Sequence, residues 1–174
     1  IWITPAGIDK GKLTSADIIC VHPDGTQDGP HKPSSEYPFH KAIYEKRSDL
    51  RAIVHAHPPA IVAYSLVGIA PETHIIPQAN AVCGPIGIAP YAIPGSEELG
   101  ENIANTLSEG YNMVILENHG LVAGGHDLLS AFQRMETLDF CARTLIHAQR
   151  LGEIRLLGPA QLNLFSSRRH ILPE

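Results

Sequence analysis

The sequence predicts an α/β fold, a single three-layer domain in which a mixed, mainly antiparallel central sheet is flanked by helices. Three observations lead there. β-prone and helical segments alternate along the chain. Several neighbouring strand candidates are joined too tightly for the long crossovers that parallel pairing requires. Gly 15 and Pro 14 among 174 residues supply many tight turns, which a helix bundle would not need.

In chain order, residues 1–3 form a short β-prone run that ends in the turn Thr4-Pro5-Ala6-Gly7. Residues 18–22 read as a buried strand closed by Pro23-Asp24-Gly25, and residues 27–33 as polar loop. A helix is predicted over 34–47, with Ser35 as cap, Pro38 in the first turn and Phe39, Ala42 and Ile43 on one face. Residues 50–57 alternate as a strand does until Pro58-Pro59 stops them, and 60–67 suit a short apolar helix. Between 73 and 91, Pro77, Gly84, Pro85 and Gly87 break the chain into several short β-prone pieces. Ser96 caps a helix to about 109, with Glu97 and Glu98 at its positive end. Residues 112–117 are the strongest strand, turned by Asn118-His119-Gly120 into a second at 121–123. Asp127 caps the longest helix, whose apolar face is expected to be Leu128, Phe132, Met135, Leu138, Ala142 and Leu145. Beyond Gly152 no element is assigned. The start at Ile1, without methionine and already in strand-like sequence, leads to the expectation that a natural N-terminal segment is missing.

Composition narrows function. A formal charge of −5 and a pI near 6.0 argue against nucleic acid or an anionic membrane as the main partner. No apolar run reaches the length of a membrane span. Cys20, Cys83 and Cys141 are odd in number and lack metal-like spacing, so they read as small buried hydrophobes in a reducing compartment, the cytoplasm by default.

Ten histidines are many for this length. In His55-Ala56-His57 the period of a strand puts both imidazoles on one face, roughly 6.5–7 Å apart, near enough to hold one ion. Alone, that spacing equally describes one core and one exposed histidine. His119, in a turn tightened by Gly120, supplies a third. Three histidines from two strands leave a coordination position open, as in catalytic rather than structural zinc. The imidazole set favours zinc among divalent ions. His22, His31, His40, His74, His126, His147 and His170 lack such pairing and read as surface or packing residues, His40 standing one helical turn from Glu36. Glu36 itself is either a helix-dipole glutamate or a proton carrier beside the metal. Ser34 and Ser35 put hydroxyls and free N–H groups at a helix start, a natural phosphate cradle.

The segments ITPAGIDKGKL, KPSSEYPFH, AIVHAHPPA, YAIPGSEEL and VILENHGLV, in this order and spacing, resemble the class II aldolase/adducin family from residue 1 to about 150. The resemblance implies one domain over 1–174 and one zinc ion per subunit on His55, His57 and His119. It further implies Glu36 as the catalytic acid/base and phosphate binding by Gly7, Ser34 and Ser35. The implied reaction is reversible cleavage of a deoxyketose 1-phosphate to dihydroxyacetone phosphate and an aldehyde. The implied partners are a sugar phosphate and copies of the chain itself in a homotetramer, with no nucleic acid and no membrane. Ala6 stands where relatives more often carry Ser or Thr, and Ile76 stands about where a tyrosine acid is expected. Epimerisation, dehydration or decarboxylation on the same scaffold therefore stay open, as does a non-enzymatic adducin-like interaction domain.

Overall fold

The computed structural model of the protein describes residues 1–169. Near the N-terminus, β1 (Trp2–Ile3), β2 (Ile19–Val21) and β3 (Gln27–Asp28) form a small antiparallel sheet in that order. Ile3, Ile19 and Val21 make its apolar face, and Tyr37 packs against it. The polar stretch after Gly25 is thus partly strand, not loop throughout, because Gln27 and Asp28 pair across the turn with Val21 and Cys20.

The remaining elements are α1 (Tyr37–Lys46), β4 (Ala52–Ala56), α2 (Pro59–Leu66), α3 (Pro77–Cys83), β5 (Ile86–Ala89), α4 (Glu97–Ser108), β6 (Met113–Leu116), β7 (Gly120–Gly125), α5 (Leu128–Ala148) and α6 (Pro159–Arg169). The central sheet runs β4-β7-β6-β5. Its β4–β7 and β6–β7 pairs are antiparallel, and β5–β6 is parallel, with α4 as the crossover. Strand period two divides the core. Val114, Leu116 and Val122 face α1 and α4, meeting Phe39, Ile43, Leu99, Ile103 and Leu107. Met113, Ile115, Leu121 and Ala123 face α2, α3 and α5, meeting Ile61, Cys83, Leu138 and Leu145. All four β6 residues are buried, which is why that run is continuously apolar. Helix, sheet and helix give the three layers expected.

Caps and one arginine fix the helix ends. Ser96 and Asp127 accept hydrogen bonds from the N–H groups of Leu99 and Ser130 and so cap α4 and α5 as predicted. Arg47, just past α1, donates to the carbonyls of Leu107 (2.7 Å) and Tyr111 (2.6 Å), to Asn112 Oδ1 (2.9 Å) and to both oxygens of Asp49. It ties the end of α1 to the end of α4.

Four local expectations are corrected. Residues 77–83 are helical: Pro77 occupies the first turn, where its missing N–H costs nothing, and Ala79 and Cys83 share the buried side. Ser35 does not cap α1; the residue at the cap position is Glu36, and Ser34 Oγ accepts from the Glu36 N–H at 3.3 Å. Leu128 and Phe132 on α5 are exposed, and the buried face is instead Ala131, Leu138, Cys141, Ala142 and Leu145. Cys20 is half-buried, unlike Cys83 and Cys141, and all three are free. The previously unassigned tail contains α6. His170 and the rest of 170–174 lie outside the described residues, within which no helix is long and apolar enough to cross a membrane.

Candidate metal centre

Four segments meet at one end of the sheet. His55 lies in β4 opposite Val122 of β7, and His57 follows one residue beyond the last ladder pair, Ala56 with Leu121. Pro58 and Pro59 then start α2. His119 sits in the turn between β6 and β7, its N–H donating to the Leu116 carbonyl at 3.1 Å. That turn needs a left-handed residue, and Asn118 provides it at φ 55°. Glu36 enters from the start of α1.

One ligand atom each from Glu36, His55, His57 and His119 lies within 4.8 Å of the others. His55 Nε2 and His57 Nε2 are 3.0 Å apart. Glu36 Oε1 is 3.2 Å from His55 Nε2 and 3.5 Å from His119 Nε2. For nitrogen ligands about 2.05 Å from a tetrahedral zinc ion, the edge of the tetrahedron is roughly 3.3 Å, so these separations fit one ion.

The protonation states fit as well. His55 Nδ1 is 2.9 Å from the Leu121 carbonyl, which can only accept, so Nδ1 carries the proton and Nε2 presents its lone pair to the centre. Burial and the charge of His55 hold His57 and His119 below the ordinary histidine range, with Glu36 pulling the other way, so both favour the neutral, ligating form. Burial pushes Glu36 up, but in the metal-free centre a proton taken up on His55 Nε2 gives the carboxylate a hydrogen bond, and that bond with the positive charge of protonated imidazoles outweighs burial and holds Glu36 below the ordinary carboxylate range. His119 Nδ1 is buried without a hydrogen-bond partner among the described residues. A carboxylate and converging imidazole lone pairs repel one another unless a cation or shared protons lie between them. The donor set fits a divalent metal.

The other predicted site residues are placed less tightly. Ala6 N–H donates to the Lys32 carbonyl and Ser34 N–H to the Thr4 carbonyl, so the Thr4–Ala6 turn lies beside Ser34, with Gly7 next in chain at φ 69°. The Ser34 hydroxyl is engaged with the Glu36 N–H, whereas Ser35 is exposed. Ile76 is half-buried at the start of α3. All five lysines are exposed.

Two contributors escaped sequence reasoning. The Leu121 carbonyl leaves no trace in residue type, since any residue carries one. Phe39 sets its ring edge-on to His55 at 5.3 Å, and His40 stacks on Phe39 at 4.4 Å. The apolar periodicity of α1 announced Phe39 as core but not which ring it would meet.

The family described as the class II aldolase and adducin N-terminal domain matches residues 1–146. A 5-deoxy-D-ribulose 1-phosphate aldolase of Bacillus thuringiensis serovar kurstaki is 33% identical over 162 residues, covering 90% of this chain and 73% of that protein. A 3-oxo-tetronate 4-phosphate decarboxylase of Haemophilus influenzae is 33% identical over 153 residues, covering 86% and 72%. A solved L-fuculose 1-phosphate aldolase superposes with a TM-score of 0.80 at 33% identity, covering 97% of this chain and 79% of that one.

Proposed function

Because the chain belongs to the class II aldolase and adducin family and is a metal-dependent carbon–carbon lyase, we propose that it reversibly cleaves a deoxyketose 1-phosphate to dihydroxyacetone phosphate and an aldehyde. The observation that carries this reading is the convergence of His55, His57, His119 and Glu36 on one point. Ketose 1-phosphates are the substrates named for two of the relatives, one of them a 5-deoxy sugar, which supports this sugar class.

His55, His57 and His119 hold a zinc ion in this reading. The bound ion supplies Lewis acidity toward the carbonyl and hydroxyl oxygens of the sugar, which favours scission between C3 and C4. Glu36, ionised and facing the imidazoles, serves as the base: in cleavage it takes up the proton released as the C4 hydroxyl becomes the aldehyde carbonyl and returns it to C3, and in condensation it removes the C3 proton and gives it to the new C4 oxygen. Ser35 and the Gly7 turn receive the phosphate, with the Ser34 hydroxyl donating its hydrogen to it while its oxygen keeps the Glu36 N–H. That shared hydroxyl ties phosphate binding to the residue that moves the proton. We place the enzyme in the cytoplasm as a homotetramer.

Metal analysis by plasma mass spectrometry of wild type and His57→Ala tests the reading. Near-stoichiometric zinc in wild type and little in the variant is expected, together with dihydroxyacetone phosphate release from a deoxyketose 1-phosphate. Freshly purified wild type without metal, which also takes up none from added zinc, overturns it.

A second reading, decarboxylation of a 3-oxo acid phosphate, is favoured by the Haemophilus relative and by Ile76 in place of a tyrosine acid. Carbon dioxide release from such an acid, with no cleavage of ketose phosphates, would select it.

A further inference from the structure

We propose that Gly120 is a positioning residue for the metal centre: its missing side chain lets the end of β4 and the His57 ring close over the head of β7, which brings the His55 and His57 nitrogens together. The proposal rests on the metal reading above. A Cβ built on Gly120 would lie 2.6 Å from the Ala56 carbonyl oxygen and 2.8 Å from His57 Cδ2. Neither contact is tolerable, and the first is to backbone, which cannot swing aside as a side-chain tip can. Gly120 is not among the glycines at positive φ, so it is needed there for space and not for backbone freedom.

His57 lies beyond the last β4–β7 ladder pair, so the hydrogen bonds of the sheet do not fix it. After it, Pro58 and Pro59 direct the chain into α2. The ring instead occupies the space that a side chain on Gly120 would fill. Three consecutive residues, running from the turn into β7, thereby serve the centre in different ways. His119 provides a donor, Gly120 provides room, and the Leu121 carbonyl fixes the His55 tautomer. An added methyl group displaces the Ala56 carbonyl by about half an ångström in this close-packed setting. Ligand distances in metal sites tolerate only about 0.2 Å.

Gly124, on the same strand, is the matched control. A Cβ there would meet Leu50 Cδ1 at 2.6 Å, the mobile tip of a core side chain remote from the ligands in the β4–β7 register. The experiment measures zinc affinity by competition with a chromogenic chelator, and the thermal midpoint of the metal-free protein, for wild type, Gly120→Ala and Gly124→Ala. Both variants are expected to melt earlier than wild type. Only Gly120→Ala is expected to lose zinc affinity, by about 10- to 100-fold, as for other groups that orient ligands.

Unchanged affinity in Gly120→Ala, or an equal loss in Gly124→Ala, overturns the proposal while leaving the metal reading intact. Wild type that binds no zinc overturns both. Should Gly120→Ala be insoluble on expression, all three proteins are refolded from urea at low concentration with and without added zinc. A rise in the urea midpoint with zinc for wild type and Gly124→Ala but not for Gly120→Ala supports the positioning role, and an equal rise in all three overturns it.

Discussion

Glu36 is held between opposed forces: burial favours its neutral acid, and three facing imidazoles favour the carboxylate and prevail. Replacing it with Gln keeps the shape and removes the basic oxygen. In the proposed reading Glu36→Gln should therefore retain the bound metal, read by metal analysis, and lose turnover by about two to four orders of magnitude in an aldol-cleavage assay. Turnover within a few-fold of wild type would assign the proton elsewhere. At this scale the sequence was informative where residue type carries the chemistry. The H-x-H spacing on a strand, the third histidine beside a glycine and the glutamate at a helix start all stand in the metal cluster. It was silent where backbone does the work. Nothing in the letters links Leu121 to His55, 66 residues apart, and the closeness of Gly120 to Ala56 follows from strand register alone. The cap on α1 was misassigned for a related reason, since adjacent serines compete for one N–H and type alone cannot choose between them.

Elements whose own sequence carried both period and cap, α4 and α5, appeared where expected. α3 did not, because seven residues show barely two turns of period and Pro77 and Gly84 at its ends read as breakers until their positions are known. The buried face of α5 was misjudged at its start, since apolar residues there are not confined to one side and Leu128, Leu129 and Phe132 are all exposed. The joint between α1 and α4 was also hidden. Arg47 reads as an ordinary basic residue at a helix end, yet its side chain is only 14% exposed and it satisfies two carbonyls and Asn112. Arg47→Ala takes this donor from the Tyr111 carbonyl and Asn112, while the Leu107 carbonyl keeps the Gly110 N–H, and should cost about 2 kcal/mol of stability in urea unfolding, with metal content unchanged. A loss below about 1 kcal/mol would mean that water replaces the guanidinium without penalty.

Across the whole molecule, the three-layer arrangement follows from an alternation visible in the letters, Met113 and Ile115 to one side and Val114 and Leu116 to the other. The parallel β5–β6 pair was less legible, because it depends on which strand α4 returns to. The layers also make folding sensitive to acid. Burial, then the charge of His55, pushes His40 down to about 4 from 6.5, against the pull of Glu36. The unfolded chain therefore takes up this proton first, and the contribution of neutral His40 to stability is complete above about pH 6.5 and lost as pH falls toward 4. The metal-free protein should lose about 2 kcal/mol from this group between pH 7 and pH 5, and His40→Gln should remove that share of the slope in urea titrations. Equal slopes for variant and wild type would show that the ring is as easily protonated folded as unfolded.

Every donor at the centre stands at or near the boundary of an element: Glu36 before α1, His55 and His57 around the end of β4, His119 between β6 and β7. The apolar residues that fold the chain lie inside those elements, on the sheet and the helix faces against it. Changes to the reactive rim and changes to the supporting core can therefore accumulate separately over evolutionary time. A scaffold divided in this way can exchange one substrate for another by small steps, each leaving a folded intermediate for selection to act on. Aldolases and a decarboxylase, each about one-third identical to this chain, are what such a history would leave behind.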